Sequence, residues 1–176
     1  MRFTKSFALI FVLLLGMTVV PAIAQNSGRT VEQEVARQLR LLSNYNVFDY
    51  IDYRVENGVV TLSGWTNSLG TKYYIERALK RQDGITAVVN NIEELPPSRI
   101  DDRIRIATLR TFAERGPARY FSGLHPDVRI TVKNGNIILN GVVSNVSDRD
   151  VLNILANSVP GVFSVTNNIK VGKTIS

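Results

Sequence analysis

The sequence writes one stretch twice. The first copy is Val55-Glu56-Asn57-Gly58-Val59-Val60-Thr61-Leu62-Ser63-Gly64, and the second is Val132-Lys133-Asn134-Gly135-Asn136-Ile137-Ile138-Leu139-Asn140-Gly141. In both, Asn-Gly lies between apolar runs, the strongest short-range signal for a hairpin. A type I′ turn needs φ > 0 at both central residues, which Asn tolerates and Gly adopts freely. The match runs on without a gap: Gly84 answers to Gly161, Val88 to Val165, Asn90-Asn91 to Asn167-Asn168 and Ile92 to Ile169, each pair 77 residues apart. The chain is therefore expected to fold as two copies of one small domain.

The N-terminus reads as a secretory signal. Arg2 and Lys5 precede an apolar run from Phe7 to Val20, Pro21 breaks it, and Ala22-Ile23-Ala24 supplies small residues before Gln25. The run is short for a membrane span, which needs about 20 apolar residues. Residues 1–24 are expected to be removed on export to the periplasm, with an uncleaved anchor as the alternative. The chain has no Cys. No disulfide can staple the domains, and no lipid-anchoring Cys follows the signal.

Each copy reads as helix–strand–strand–helix–strand. In the first, Thr30 and Gln33 form a capping box, and Val31, Val35, Leu39 and Leu42 share a helical face. Ser43 to Asp49 is a loop. Tyr45, Phe48 and Tyr50, in or beside it, either close the end of the core or stand exposed for binding. Ile51, Tyr53 and Val55 alternate with Asp52, Arg54 and Glu56 as a half-buried strand, and Val59 to Trp65 returns. A second helix is expected from Asn67-Ser68, with Leu69, Tyr73, Ala78 and Leu79 inward, stopped at Asp83-Gly84. The last strand runs from Ala87 to Leu95 and, reached by a crossover, should be parallel to its neighbour. The fold class is α+β, with each copy a three-stranded mixed sheet carrying two helices on one face. The other face is solvated or packed, the other copy being one candidate.

Leu95-Pro96-Pro97-Ser98 makes a short stiff connector. The expected boundaries are a signal at 1–24, domains at 25–95 and 100–172, a linker at 96–99 and a tail at 173–176. The second copy starts with a helix near Ile100, carrying Ile104, Ala107 and Thr108 on one side and Ile106, Leu109 and Phe112 on others. A Gly-Pro loop at 115–124 makes this end longer than in the first copy. Strands at Val128–Val132 and Ile137–Gly141 follow. Ser147 with Asp150 is expected to cap a helix whose inner face is Val151, Leu152, Leu155 and Val159, before a last strand at Phe163–Val171.

The two motifs, N-G-x-[VI]-x-L-x-G at 57–64 and 134–141 and G-[VI]-x-x-V-x-N at 84–90 and 161–167, resemble the BON family, the bacterial osmotically inducible and nodulation domain. The resemblance covers essentially the whole chain after the signal. It implies the fold above, a periplasmic or envelope location, phospholipid binding, and support of the envelope under osmotic and other stress. It also implies contact with anionic lipid through the first helix of the second copy, here Ile100–Phe112.

The charge points to the same half. Residues 25–95 hold 8 Lys/Arg and 9 Asp/Glu, whereas residues 96–176 hold 11 and 6. Arg forks bind phosphate bidentately, and neighbouring apolar groups can enter a headgroup boundary. Arg103, Arg105, Arg110, Arg115 and Arg119 are therefore the candidate lipid-binding cations, with Tyr120 and Phe121 as a wedge. A solvated Arg face over an ordinary core helix is the plainer reading. The expected partner is an anionic phospholipid surface, with no nucleic acid. The alternative function is a protein-interaction adaptor or holding chaperone for envelope proteins.

Chemistry is not expected. The single His, His125, stands alone before Pro126, and no metal-binding or nucleophile motif is present. Asp101-Asp102, Asp148 and Asp150 sit at helix starts, where acid complements the dipole. The Asn pairs at 90–91 and 167–168 are read as bonding backbone. No enzyme activity, cofactor or metal is expected.

Overall fold

The structure, a computed structural model, describes residues 29–173. The expected signal at 1–24 lies outside the described residues, as do the last three positions of the tail.

In the first unit Thr30 caps α1 (Val31–Leu41). Its hydroxyl accepts from the Gln33 amide, and Gln33 Oε1 accepts from the Thr30 amide in return. Strands β1 (Tyr50–Glu56) and β2 (Val59–Thr66) are antiparallel about Asn57 and Gly58, at φ 51 and 79, the left-handed pair that a type I′ turn requires. β3 (Ala87–Glu94) lies parallel to β2, with Val60 beside Val88.

The crossover helix α2 spans Thr71–Leu79, later than the sequence reading placed it, because Gly70 at φ 83 breaks the helical path. The delay changes its phase. Thr71, Ile75 and Leu79, four apart, point inward. Leu69 and Tyr73, read as inward from sequence, are 72% and 57% exposed. Tyr73 sits two residues from both Thr71 and Ile75, about 200° round the helix. Val35 and Leu39 of α1 meet Ile75 and Leu79 over Ile51, Val60, Leu62 and Ile92 of the sheet.

The second unit repeats the order with α3 (Arg99–Arg115), β4 (Val128–Lys133), β5 (Asn136–Val143), α4 (Val146–Asn157) and β6 (Ser164–Val171). β4 and β5 are antiparallel, and β5 and β6 parallel. Ser98 caps α3, accepting from the Asp101 amide. Phe112 is fully buried with Ile104 and Thr108, because steps of four keep all three on one face. That corrects its sequence placement on another side. The α4 cap is Asn145, which accepts from Asp148, so the helix begins ahead of the expected Ser147–Asp150 box. Asn holds the capping geometry as well as Ser does. Asn90 and Asn167 serve matching structural roles. Each accepts from the amide two residues on and donates to a carbonyl of the helix above, Lys72 or Arg149.

The outer faces of the two sheets differ. Asp52, Arg54 and Glu56 of β1 are exposed, while Arg129 and Thr131, their counterparts on β4, are buried. The first unit's loop at Tyr45–Phe48 lies against β4. Val47 O accepts from the Ile130 amide at 2.8 Å, and Asn46 O accepts from Arg129 at 2.7 Å. The Arg129 guanidinium sits 4.3 Å from the Tyr45 ring centroid, and Val47 and Phe48 pack on the second core. The loop aromatics thus join the units. Lys133 adds a bridge to Glu93 at 2.6 Å.

Candidate functional site

The 17 residues of α3 divide into faces by helical period. Asp101, Ile104, Arg105, Thr108 and Phe112 are buried. Arg105, one of the candidate cations, is only 1% exposed. It bonds the Val132 carbonyl at 2.6 Å and the Asp102 carboxylate at 2.5 Å. This correction has a direct cause: a guanidinium that completes an edge carbonyl of β4 cannot also reach a membrane.

The candidates at the C-terminal end of α3 are also largely engaged. The 3-10 turn Ala118–Phe121 folds back on the core. Tyr120 is 2% exposed, and its hydroxyl donates to Asp148 at 2.7 Å and accepts from the Ser144 amide at 2.9 Å. Phe121 stacks on Phe112, ring centroids 4.9 Å apart. Neither is a protruding wedge, because closing the core beyond Phe112 uses both rings. Arg119 pairs with Asp148 and lies over the Tyr120 ring, and the Tyr120 hydroxyl raises its guanidinium pKa. Arg115 is exposed in the last turn of α3, where a cation complements the terminal carbonyls.

Arg103 and Arg110 remain, and the structure adds Arg99. With Ile106 they follow at steps of four, three and four, one stripe on the side opposite the core. Ile106 is 55% exposed and Ile100, at the stripe's edge, 60%. None of the three arginines forms an ion pair among the described residues, whereas Arg105 and Arg119 do. Starting the helix at Ile100 hid Arg99, although its four-residue step to Arg103 is readable in the sequence.

Asp101 has a role that the dipole argument missed. It is 5% exposed, and its carboxylate accepts from the Asn134 and Gly135 amides at 3.0 and 2.8 Å. It ties the start of α3 to the Asn-Gly turn and so fixes the helix on the sheet. His125 is exposed. Among the described residues no group of three or more His, Cys, Asp or Glu is placed to hold a metal, and no helix is long and apolar enough to cross a membrane.

The family model described as BON domain matches residues 29–96 and 119–173. The first match takes in the whole first unit, and the second begins in the 3-10 turn, so α3 lies between them. No curated protein matches the chain at a significant level. Among solved structures, the C-terminal domain of CdsD, a structural protein of the type III secretion system of Chlamydia trachomatis, aligns at 10% identity and a TM-score of 0.33. That alignment covers 81% of this chain and 96% of that one. A second CdsD structure aligns at 11% identity and a TM-score of 0.31, covering 81% and 92%.

Proposed function

Because the chain belongs to the BON-domain family, we propose that it is a non-enzymatic envelope protein that docks on anionic phospholipid through the outward stripe of α3. Docking there supports envelope integrity under stress. The family is generally non-catalytic and associated with the bacterial envelope.

One observation carries the reading: Arg99, Arg103 and Arg110 flank exposed Ile106 on a single face and have no acidic partner among the described residues. A solvated face would satisfy the same exposure, but it gives no reason for three unpaired cations around an apolar centre. Each cation near an anionic surface contributes about 1 kcal/mol. Seating Ile106 in the headgroup boundary adds about 1 kcal/mol more. The sum, about 4 kcal/mol, corresponds to a dissociation constant of about 1 mM, a weak and reversible attachment. Salt screens it, since the Debye length falls to about 8 Å at 0.15 M.

Co-sedimentation with vesicles across a salt series tests this. Binding to phosphatidylglycerol vesicles, absent with phosphatidylcholine and strongly weakened in the triple variant Arg99→Ser, Arg103→Ser, Arg110→Ser, is the expected result. A triple variant that sediments like the wild type overturns the reading. Salt-insensitive capture of an envelope protein without lipid binding would instead favour the adaptor reading, for which Phe163 and Leu124, each 86% exposed, are among the apolar contacts on the surface.

A further inference from the structure

We propose that the first unit carries a second contact for anionic lipid, on α2, separate from the α3 stripe. The inference builds on the lipid-docking reading of α3, but its observations are independent of that helix.

The first half of the chain is not basic as a whole, and its cations are concentrated. α2 and the turn after it carry Lys72, Arg77, Lys80 and Arg81, with Glu76 as the one acid of the helix itself, already paired with Lys80 at 2.6 Å. Arg77 donates to the Tyr73 hydroxyl at 3.0 Å, and Arg81 is exposed with no ion pair among the described residues. Beside these cations large apolar groups stand in solvent: Leu69 at 72%, Tyr73 at 57% and Tyr74 at 56%. The two tyrosine rings meet edge to face, centroids 5.6 Å apart. Tyrosine flanked by Lys and Arg suits the water–lipid boundary, with the ring in the apolar layer and the hydroxyl and cations among headgroups.

A recess lies alongside. The end of α1 and the start of α2 enclose about 380 Å³, with Leu41, Leu42, Tyr74 and Ala78 as apolar walls. Thr71 lines it too, 1% exposed, and its hydroxyl has no hydrogen-bond partner. A buried hydroxyl left without a partner is costly. An ester or phosphate oxygen entering the recess would accept from it while the acyl portion meets the apolar walls. The helix start itself bears no capping side chain and no acid in its first turn, and the Gly70 amide ahead of it donates to the Glu94 carboxylate at 3.0 Å.

The test crosses two sets of exposed changes in the full protein, read by binding to phosphatidylglycerol vesicles at low salt. One set is Arg77→Ser with Arg81→Ser, and the other is the α3 triple variant. The α2 pair is expected to weaken binding about thirtyfold, and to remove the residual, salt-sensitive binding that the α3 variant keeps. Leu69→Ser with Tyr73→Ser is expected to weaken binding while preserving its salt dependence. If the α2 variants bind like their parents in both backgrounds, or lose only a protein partner, the second contact does not exist. If the α3 variant binds like the wild type while the α2 pair does not, the α3 reading fails and this one stands.

Discussion

Arg103 and Arg105 stand two residues apart on α3 and do opposite things. Arg103 is exposed and unpaired among the described residues, while Arg105 is 1% exposed with its guanidinium on the Val132 carbonyl and the Asp102 carboxylate. Replacing Arg105 with Met strips a buried carbonyl of its donor and should cost about 2 to 3 kcal/mol. Arg103→Ser should change stability by less than about 0.5 kcal/mol. Urea unfolding of the two variants measures both, and vesicle binding should show the reverse order of damage.

Which of these arginines meets solvent is not legible from composition. Arg105 is buried because it reaches a carbonyl 27 residues downstream, a contact that no local pattern announces. The hairpins, the strand alternation and the parallel crossover were legible because Asn-Gly turns and period-two burial are local. The phase of α2 was not, because Gly70 moves its start and rotates Tyr73 outward. The joining of the units through Tyr45–Phe48 was not either, since a loop has no period to read.

The last glycine of each repeated motif is a position of close backbone approach. A Cβ built on Gly141, at φ 138, would lie 2.0 Å from Asp127 O, and one on Gly64 would lie 2.1 Å from Tyr50 O. Gly141→Ala should therefore destabilise the protein by at least about 2 kcal/mol, the sum of left-handed strain and the clash. Thermal unfolding checks this, and an unchanged midpoint would contradict it.

Arg129 and Tyr45 couple the two units. A desolvated cation over a ring contributes about 1 to 2 kcal/mol. A double-mutant cycle with Arg129→Ala and Tyr45→Ala should return a coupling energy in that range, measured by denaturant unfolding. Arg129→Ala alone also leaves the Asn46 carbonyl without its donor and should split one unfolding transition into two.

Acid should reach α1 through Glu34. Hydrogen bonds from Arg37, and then Gln38, hold its pKa at about 2, below its ordinary 4.5. A carboxylate whose pKa is lowered on folding stabilises the fold above its unfolded pKa, and that contribution is lost as pH falls through the folded value. The wild type should therefore lose stability between pH 4.5 and about 2 in a way that Glu34→Gln does not. Equilibrium unfolding along that pH series compares the two.

The central claim is contact between the α3 stripe and an anionic membrane, and the absence of Cys makes a site-specific probe simple. Ile106→Cys carries an environment-sensitive fluorophore at the centre of the stripe, and Thr166→Cys carries it on the exposed outer side of β6. With phosphatidylglycerol vesicles at low salt, the probe at position 106 should shift to the blue and return as salt rises, while the probe at 166 stays unchanged. A protein that sediments with the vesicles while position 106 remains in water would contradict the account.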